Sequence, residues 1–579
     1  MLVLCIVNLI AILGFYLFFT MVLKQKEAFF PFCFISFSVL VTYVLGCAEL
    51  LTLGCVVVML LGMCLLVISI MFCVKNKEKP AIHIILNPAL FFMIVGIIWC
   101  YVLSRNINPS HYDDFSHWLR ICKTMYADSS YPRTPECYYQ NYVPGTATWI
   151  YYVTSVIGYT PQNCYFAQMV LNLSCCNGLL AVIGREATRD KKIIMTLVCG
   201  ILSILLCSMD VTTYSLLVDG ALGLTAALAV MYTASSDKDG GSIKRFVMLL
   251  IMCCFIALIK ASGSLLVCFI TVVFFAGIKD DKEGTNRVKR IVEPLALAII
   301  PYLMTNLYML RARSIFGSEV NEQGTVSFYH RMSDCWSTGR FLDIIKRFLI
   351  ECFDILNAEP QVRILWIVMA TVIIITIVNR SKGIIDKQWK FISIYIPAVS
   401  VVWLIGMLLT FFTFDEREAN SYILVSFERY SGTMSIFVVS ILSFYLLGRM
   451  LKKTDHKKYY ISIGVYTAAA VSLSLFVGFH MLYIFGFKYY DDKMFTGDAW
   501  VFLEEHYPEG WEYNEDGYAM IIDVEQRDFD NCHKLQNLMT TYFRSTNCGV
   551  YDIKDIEAEG YTLDDVREFF PNIVLFYEK

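Results

Sequence analysis

Charged residues are scarce in this chain of 579 residues: they make up 17% of it, whereas hydrophobic residues make up 57%. Soluble domains carry about 25% charged residues, so the deficit argues against an ordinary soluble fold and predicts a membrane protein. The N-terminus lacks a basic start and a small-residue cleavage site. We therefore expect its first apolar run to span the membrane rather than to be cleaved.

Several motifs are also missing. The 21 cysteines form no CxxC zinc pattern, and most lie in apolar runs, where cysteine behaves as a small hydrophobic residue. No GxGxxG follows a predicted strand, and no Walker motif occurs. The sequence therefore gives no indication of a zinc module or of a cytoplasmic nucleotide-binding domain.

Long apolar segments are what the chain has instead, and a spanning helix needs about 20 such residues. We predict an all-α polytopic membrane bundle of about fourteen transmembrane helices. The predicted spans are 2–23, 29–46, 49–74, 84–103, 163–184, 193–209, 214–233, 245–260, 264–278, 291–309, 363–379, 391–413, 432–448 and 459–485.

The basic residues are segregated. Seven short loops contain more than half of the 48 Lys and Arg residues, and they alternate with loops that are poor in both. These loops are 24–26, 75–79, 185–192, 238–245, 279–290, 380–390 and 449–458. Because cytoplasmic loops are enriched in positive charge, we expect a multi-pass protein of the cell membrane with both termini outside.

Four regions follow from this topology. They are N-terminal transmembrane helices (1–104), a first large extracytoplasmic loop (105–162), a transmembrane core with a second outer loop at 311–362 (163–485), and an extracytoplasmic α/β domain (486–579). The apolar piece Val143–Gly158 is short and bounded by prolines, so we expect a helix at the outer membrane interface. Its residues Trp149, Tyr151 and Tyr152 suit that depth.

The C-terminal region reads as a small three-stranded domain. Strands are predicted at Tyr518–Val524, Gly549–Ile553 and Asn572–Tyr577, and helices at Cys532–Arg544 and Leu563–Phe570. The region holds 21 acidic and 8 basic residues. This acidity argues against nucleic acid or anionic lipid headgroups as partners.

The first outer loop contains the sequence His111-Tyr112-Asp113-Asp114-Phe115-Ser116-His117-Trp118. Neighbouring carboxylates push their pKa values apart, so one can act as a general base while the other orients a substrate. Alternatively, the pair begins a helix, with Asp113 as its N-cap. Both interpretations hold together if Asp113 caps the helix and Asp114 faces a pocket.

The two histidines flanking this pair raise the question of a metal. His111, Asp113, Asp114 and His117 are ligand types that suit a divalent cation. Local hydrogen bonding is an alternative role for both histidines, and His117 is well placed to orient a carboxylate. The sequence is compatible with a divalent metal but does not require one, and we assign no metal ligand.

Other ionisable residues lie next to apolar segments. Lys260 ends one span, Arg429 immediately precedes another, and Arg311 and Arg313 follow a third. Such donors suit an anionic phosphate at the headgroup level, although interfacial anchoring is the alternative. Asp219 lies near the outer end of an apolar run, where an ionisable group is a functional candidate or a polar contact within the bundle.

These features together resemble the GT-C glycosyltransferases, a class that includes protein O-mannosyltransferases and lipid A aminoarabinose transferases. Asp113-Asp114-Phe115-Ser116-His117-Trp118 is similar to the Asp-Glu-x-His-Phe pattern of the mannosyltransferases' first outer loop. Asn141–Trp149 resembles that family's Pro-Pro-containing segment, with Pro144 as its only proline. Phe427-Glu428-Arg429-Tyr430 resembles an Arg-Tyr element before a late span.

The resemblance implies a GT-C-like fold and a sugar donor linked to polyprenyl phosphate. It further implies that the sugar is transferred to a glycan, lipid or protein acceptor of the cell envelope, with inversion at its anomeric carbon. It implies that Asp113 and Asp114 are the catalytic pair, with Asp114 as base, and that Arg429 and Lys260 contact the donor phosphate. The expected supporting residues are His117, His111, Asp219 and Tyr430. The active site is expected on the extracytoplasmic face.

Two other functions stay open. A polyprenyl-linked glycan polymerase or ligase would also work outside the membrane, but it would depend on arginines of the outer loops. A lipid or glycan transporter would place ionisable residues or broken helices near the middle of the membrane.

Overall fold

A computed structural model of the chain describes most of its residues. The residues outside this description are 1, 77–86, 110, 134–141, 185–186, 210–214, 236–241, 280–286, 318–327, 355–358, 384–385, 453–455, 478–495, 509–515, 524–528 and 578–579.

Helices dominate the first 477 residues. In chain order they are α1 (Leu2–Leu17), α2 (Phe30–Cys47), α3 (Leu51–Asn76), α4 (Pro88–Ser104), α5 (Leu119–Asp128), α6 (Gly145–Ile157), α7 (Pro161–Asn177), α8 (Arg189–Ser208), α9 (Asp219–Ser235), α10 (Ser242–Ile259), α11 (Gly263–Lys279), α12 (Arg287–Phe316), α13 (Phe328–Ser337), α14 (Arg340–Phe353), α15 (Pro360–Ser381), α16 (Lys387–Phe411), α17 (Phe427–Leu451) and α18 (His456–Val477).

A helix is present within each of the fourteen predicted spans, and residues 478–485 of the last span lie outside the described residues. Among the described residues, nine helical segments are long and apolar enough to cross a membrane. Leucine, isoleucine and valine side chains remain exposed along many of them, as expected for helices whose outer surface faces lipid. The all-α membrane bundle is therefore confirmed.

Helix α9 lies at the centre of the bundle. Its residues from Asp219 to Thr233 are all buried, and it contacts α7, α10, α11 and α17. Small residues permit this close packing: a Cβ atom added at Gly223 would lie 2.4 Å from the carbonyl oxygen of Thr433 on α17. This packing brings the first residue of α9 next to the start of α17.

The helix expected at the outer membrane interface packs its aromatic side chains inside the protein. Helix α6 is present, and Trp149, Tyr151 and Tyr152 are buried inside the bundle, so these side chains contact protein instead of lipid headgroups; the depth of α6 in the membrane stays a prediction. Trp149 Nε1 donates to the Ala167 carbonyl at 2.8 Å. The aromatic side chains therefore satisfy their polar atoms within the protein, which aromatic content alone does not distinguish from an interfacial position.

The C-terminal region forms a small α/β domain. Its strands are β1 (Tyr518–Asp523), β2 (Cys548–Asp552) and β3 (Asn572–Tyr577), in the order β2-β1-β3 and all parallel. Parallel neighbours need crossover connections, and helices occupy both of them. The helices of this domain are α19 (Thr496–His506), α20 (Phe529–Tyr542), α21 (Ile553–Ala558) and α22 (Leu563–Phe569). The three predicted strands agree with the observed bounds to within about one residue.

Candidate active site

Four charged side chains from distant parts of the sequence meet at one end of the bundle. Lys260 Nζ lies 2.6 Å from Asp219 Oδ1. Arg429 Nη2 lies 3.0 Å from Asp219 Oδ2, and its Nη1 lies 2.5 Å from Asp113 Oδ2. We call these four residues the charge cluster. It contains two carboxylates and two cations, so its formal charge is balanced.

Each member of the cluster sits at a helix end, which explains why they meet. Asp219 is the first residue of α9, Lys260 directly follows α10, and Arg429 is in the first turn of α17. A carboxylate at a helix N-terminus is favoured by the helix dipole. Because α9 packs against both α10 and α17, the folding of the bundle assembles the cluster.

Asp113 is the cluster's link to the outer loop. Its side chain is 23% exposed, the next residues form a single π-helical turn, Asp114–Trp118, and α5 follows. Asp113 makes no side-chain capping bond, so the capping role considered for it is wrong, since its carboxylate is directed to Arg429 instead. Burial disfavours the charged form, but Arg429 outweighs this and holds the pKa of Asp113 below its usual range.

Asp114 has a different environment, although it is the next residue. Only 1% of it is exposed. It accepts hydrogen bonds from the Leu216 amide at 2.7 Å and from the Tyr165 hydroxyl at 2.9 Å. Burial nevertheless raises the pKa of Asp114 to about 8. The two carboxylates thus differ in the way that neighbouring acids are expected to, with Asp113 ionised and Asp114 largely protonated at neutral pH.

Aromatic rings surround the cations and the π-helical turn. Lys260 Nζ lies 4.4 Å from the centre of the Tyr430 ring, a cation–π distance. His117 stacks on Tyr142 at 6.0 Å, and burial lowers the pKa of His117 to about 4. His117 is therefore neutral at physiological pH. His111 Nδ1 accepts from the Asp113 amide at 3.2 Å, which holds it beside the acidic pair.

A metal site does not form from these side chains. Within the described part of the chain, no group of three or more His, Cys, Asp or Glu residues has the proximity needed to hold a metal ion.

The other predicted donors lie elsewhere. Arg311 Nε is 2.7 Å from Glu49 Oε1, and its terminal nitrogens donate to the carbonyls of Tyr131 and Pro132. It therefore braces the outer loop against α12, outside the charge cluster.

Sequence patterns missed several contributors. Tyr165 and the Leu216 amide hold Asp114, and nothing in their local sequence marks them. Tyr142 belongs to the segment that resembles the GT-C pattern, so its place beside His117 was within reach of that resemblance. The C-terminal domain also contacts the acidic segment directly, because Phe115 is buried in the same side-chain cluster as Leu538 and Met539.

No protein-family model matches this chain, and no curated protein is found similar to it. Among solved structures, ArnT from Cupriavidus metallidurans, bound to undecaprenyl phosphate, is similar over 81% of this chain and 90% of that chain. The sequence identity is 10% and the TM-score is 0.40. At this level the similarity identifies neither a family nor an activity for this chain.

Proposed function

We propose that this protein is an integral membrane glycosyltransferase that moves a sugar from a polyprenyl-phosphate-linked donor to an acceptor of the cell envelope, with inversion at the anomeric carbon. The charge cluster carries the proposal. It combines an ionised, partly exposed carboxylate with two cations at the end of a membrane bundle. A transferase with a lipid-phosphate leaving group needs that combination of a base and anion-stabilising groups.

The position of the cluster supports an extracytoplasmic site. Helix α10 begins and α17 ends at the basic loops 238–245 and 449–458, whereas the cluster lies at the opposite ends of both helices. Since basic loops favour the cytoplasmic side, the cluster is assigned to the outer face. No nucleotide sugar is available there, which favours a lipid-linked donor.

The two carboxylates take different roles in the proposed mechanism. Asp113 removes the proton from the acceptor nucleophile, because it is ionised and partly exposed. The nucleophile attacks the anomeric carbon, the bond from that carbon to the phosphate oxygen breaks, and its electron pair stays with the polyprenyl phosphate. Asp114 fixes the turn by its bonds to Tyr165 and Leu216. This assignment reverses the roles expected from the sequence, because Asp114 is only 1% exposed and its carboxyl oxygens already accept from the Leu216 amide and the Tyr165 hydroxyl, whereas Asp113 can reach an acceptor.

Lys260 and Arg429 stabilise the negative charge on the departing phosphate. Lys260 is the more accessible of the two, with 30% of its side chain exposed against 20% for Arg429. Asp219 forms ion pairs with both Lys260 and Arg429 and so holds the two cations in place. A transporter is less well supported, because these groups lie at helix ends and not near the middle of the spans.

The test is sugar transfer in membranes that contain the full-length protein. A panel of radiolabelled polyprenyl-phosphate sugars is supplied to the wild type and to Asp113→Asn at matched expression. Transfer of label from one donor to an envelope acceptor, lost in the variant, supports the proposal. If the wild type consumes no donor of the panel, the proposal is wrong for those donors, and a polymerase that uses longer lipid-linked glycans becomes the better candidate.

A further inference from the structure

The C-terminal domain is bonded to the segment that carries Asp113. Phe115, two residues beyond it, is completely buried within the core of that domain. The Thr541 hydroxyl, on α20, donates to the backbone carbonyl of Phe115. A side chain of the C-terminal domain is therefore attached to the π-helical turn itself, within two residues of the proposed base.

The Thr541 hydroxyl also serves as an acceptor. Arg120 Nε, on α5, donates to it at 3.0 Å. Thr541 and Arg120 are both buried, and buried donors that lose their partners are costly. The hydroxyl thus joins the turn, α5 and α20 in one buried network.

Two cations strengthen this junction at the end of α20. Arg120 Nη2 donates to the Asn537 carbonyl at 3.2 Å, and Lys123 Nζ donates to the Tyr542 carbonyl. Tyr542 is the last residue of α20, and the last carbonyls of a helix lack intrahelical donors and carry the negative end of its dipole. In a third contact the C-terminal domain supplies the cation: Arg544 Nη2 lies 2.9 Å from Asp128 Oδ1, at the end of α5. The contact is therefore specific in position and direction.

We propose that Thr541 is a positioning residue: its bond to the Phe115 carbonyl fixes the π-helical turn and hence the direction in which Asp113 faces its acceptor. This inference rests on the proposed function. It makes the C-terminal domain a part of the catalytic unit, although none of its side chains needs to touch the reacting atoms.

Three variants of the full-length protein in lipid nanodiscs separate the loss of the Thr541 hydroxyl from other consequences of a substitution on α20. Thr541→Val keeps the shape and removes the hydroxyl, and Thr541→Ser restores it. Thr540→Val is the matched control, because the Thr540 hydroxyl donates to the Gln536 carbonyl of its own helix at 2.7 Å and also faces Cys548 of the same domain, not the π-helical turn. We expect Thr541→Val to lower kcat by about tenfold to a hundredfold, since small misplacements of a reacting group have effects of that order. The kcat of Thr541→Ser and of Thr540→Val should stay within about threefold of the wild-type value.

The pH profile distinguishes positioning from simple loss of folded protein. A turn that has shifted weakens the pairing of Asp113 with Arg429, so the acid limb of kcat/KM should move to higher pH in Thr541→Val. A smaller amount of active enzyme would lower the rate equally at every pH. The titratable and charged groups that face Asp113 are Arg429, His117, His111, Asp114, Tyr142 and Tyr430, and all of them are unchanged in these variants.

Hydrogen exchange gives a readout that does not depend on activity. Amides of residues 115–119 should exchange faster in Thr541→Val, with those of β1 unchanged. The inference is overturned if Thr541→Val shows wild-type amide exchange at residues 115–119 and the same acid limb of kcat/KM as the wild type. Should Thr541→Val fail to accumulate, Arg120→Lys removes the same network's Nε donor and is judged by the same criteria. If the wild type transfers no sugar, the proposed function fails, while the exchange data still decide whether Thr541 holds the turn.

Discussion

Replacing each of the two adjacent aspartates by asparagine should have very different consequences. Asparagine keeps the size of the side chain and one oxygen acceptor, so both changes probe the proton and the charge more than the packing. Asp113 is ionised beside Arg429 and partly exposed, whereas Asp114 is buried with a pKa of about 8. We therefore expect Asp113→Asn to abolish most transfer and Asp114→Asn to preserve much of it.

The magnitudes follow from these environments. Removing a general base lowers a rate by about 10²- to 10⁴-fold, equivalent to roughly 3–5 kcal/mol of activation free energy. The stability cost of Asp113→Asn should be about 1 kcal/mol or less, because the pair is partly exposed to solvent and Arg429 keeps its bonds to Asp219. In Asp114→Asn, the side-chain oxygen can still accept from the Leu216 amide, and we expect less than about a tenfold decrease in transfer.

The assay is single-turnover transfer from the active lipid donor in nanodiscs, with the amount of folded protein measured by size-exclusion chromatography. The assignment of Asp113 as the base would be refuted if Asp113→Asn retained transfer within about threefold of the wild type. It would also be refuted if Asp114→Asn lost as much activity as Asp113→Asn while both remained folded. The second result would restore Asp114 as the base, which was the expectation from the sequence.

Three further predictions concern Asp219, Lys260 and Asp114. Asp219→Asn should lower the unfolding free energy by about 3 kcal/mol, because it removes the buried carboxylate shared by two cations; a Tm in detergent equal to that of the wild type would contradict this. Lys260→Met should raise the KM for the donor about tenfold with little change in Tm, and donor titration tests it. Asp114→Asn should gain stability relative to the wild type as pH rises from about 4 to 8. The folded-state pKa of Asp114 is raised from 3.8 to about 8, so its favourable contribution is complete below pH 3.8 and is lost as pH rises. Parallel Tm curves across that range would show that Asp114 ionises freely.

Four residues that the sequence singled out meet in the charge cluster, but the sequence did not predict how they are arranged. Asp113, Asp219, Lys260 and Arg429 were each identified because an ionisable residue beside an apolar helix demands an explanation. Their pairing could not be predicted, since Arg429 lies 316 positions from Asp113 and 210 from Asp219. Only the packing of α9 against α10 and α17 brings them together, and apolar patterns give helix positions without giving helix neighbours.

The different environments of the two aspartates could not be predicted either, because they too depend on contacts between distant parts of the chain. Asp114 owes its burial to Tyr165 and to the backbone at Leu216, which come from other parts of the chain. The C-terminal strands, in contrast, were predicted closely, because short apolar runs that contain β-branched and aromatic residues and end at turns form a local signal. The attachment of that domain through Thr541 left no such signal, since a threonine in a helix is common and its bond to Phe115 crosses 426 positions.

The balanced charge of the cluster bears on how the proposed reaction begins. Two cations face two carboxylates, so a phosphate that approached them would meet no surplus of positive charge among these four side chains. Asp219 is buried and fixed at the start of α9, whereas Asp113 is partly exposed. On the proposed function, a donor phosphate therefore gains a cation most readily by taking the place of the Asp113 carboxylate on Arg429. That exchange leaves Asp113 ionised and unpaired, and a carboxylate without its guanidinium partner is a stronger base than the paired one. Donor binding and activation of the base would then be a single event, in which the lipid phosphate releases the group that deprotonates the acceptor.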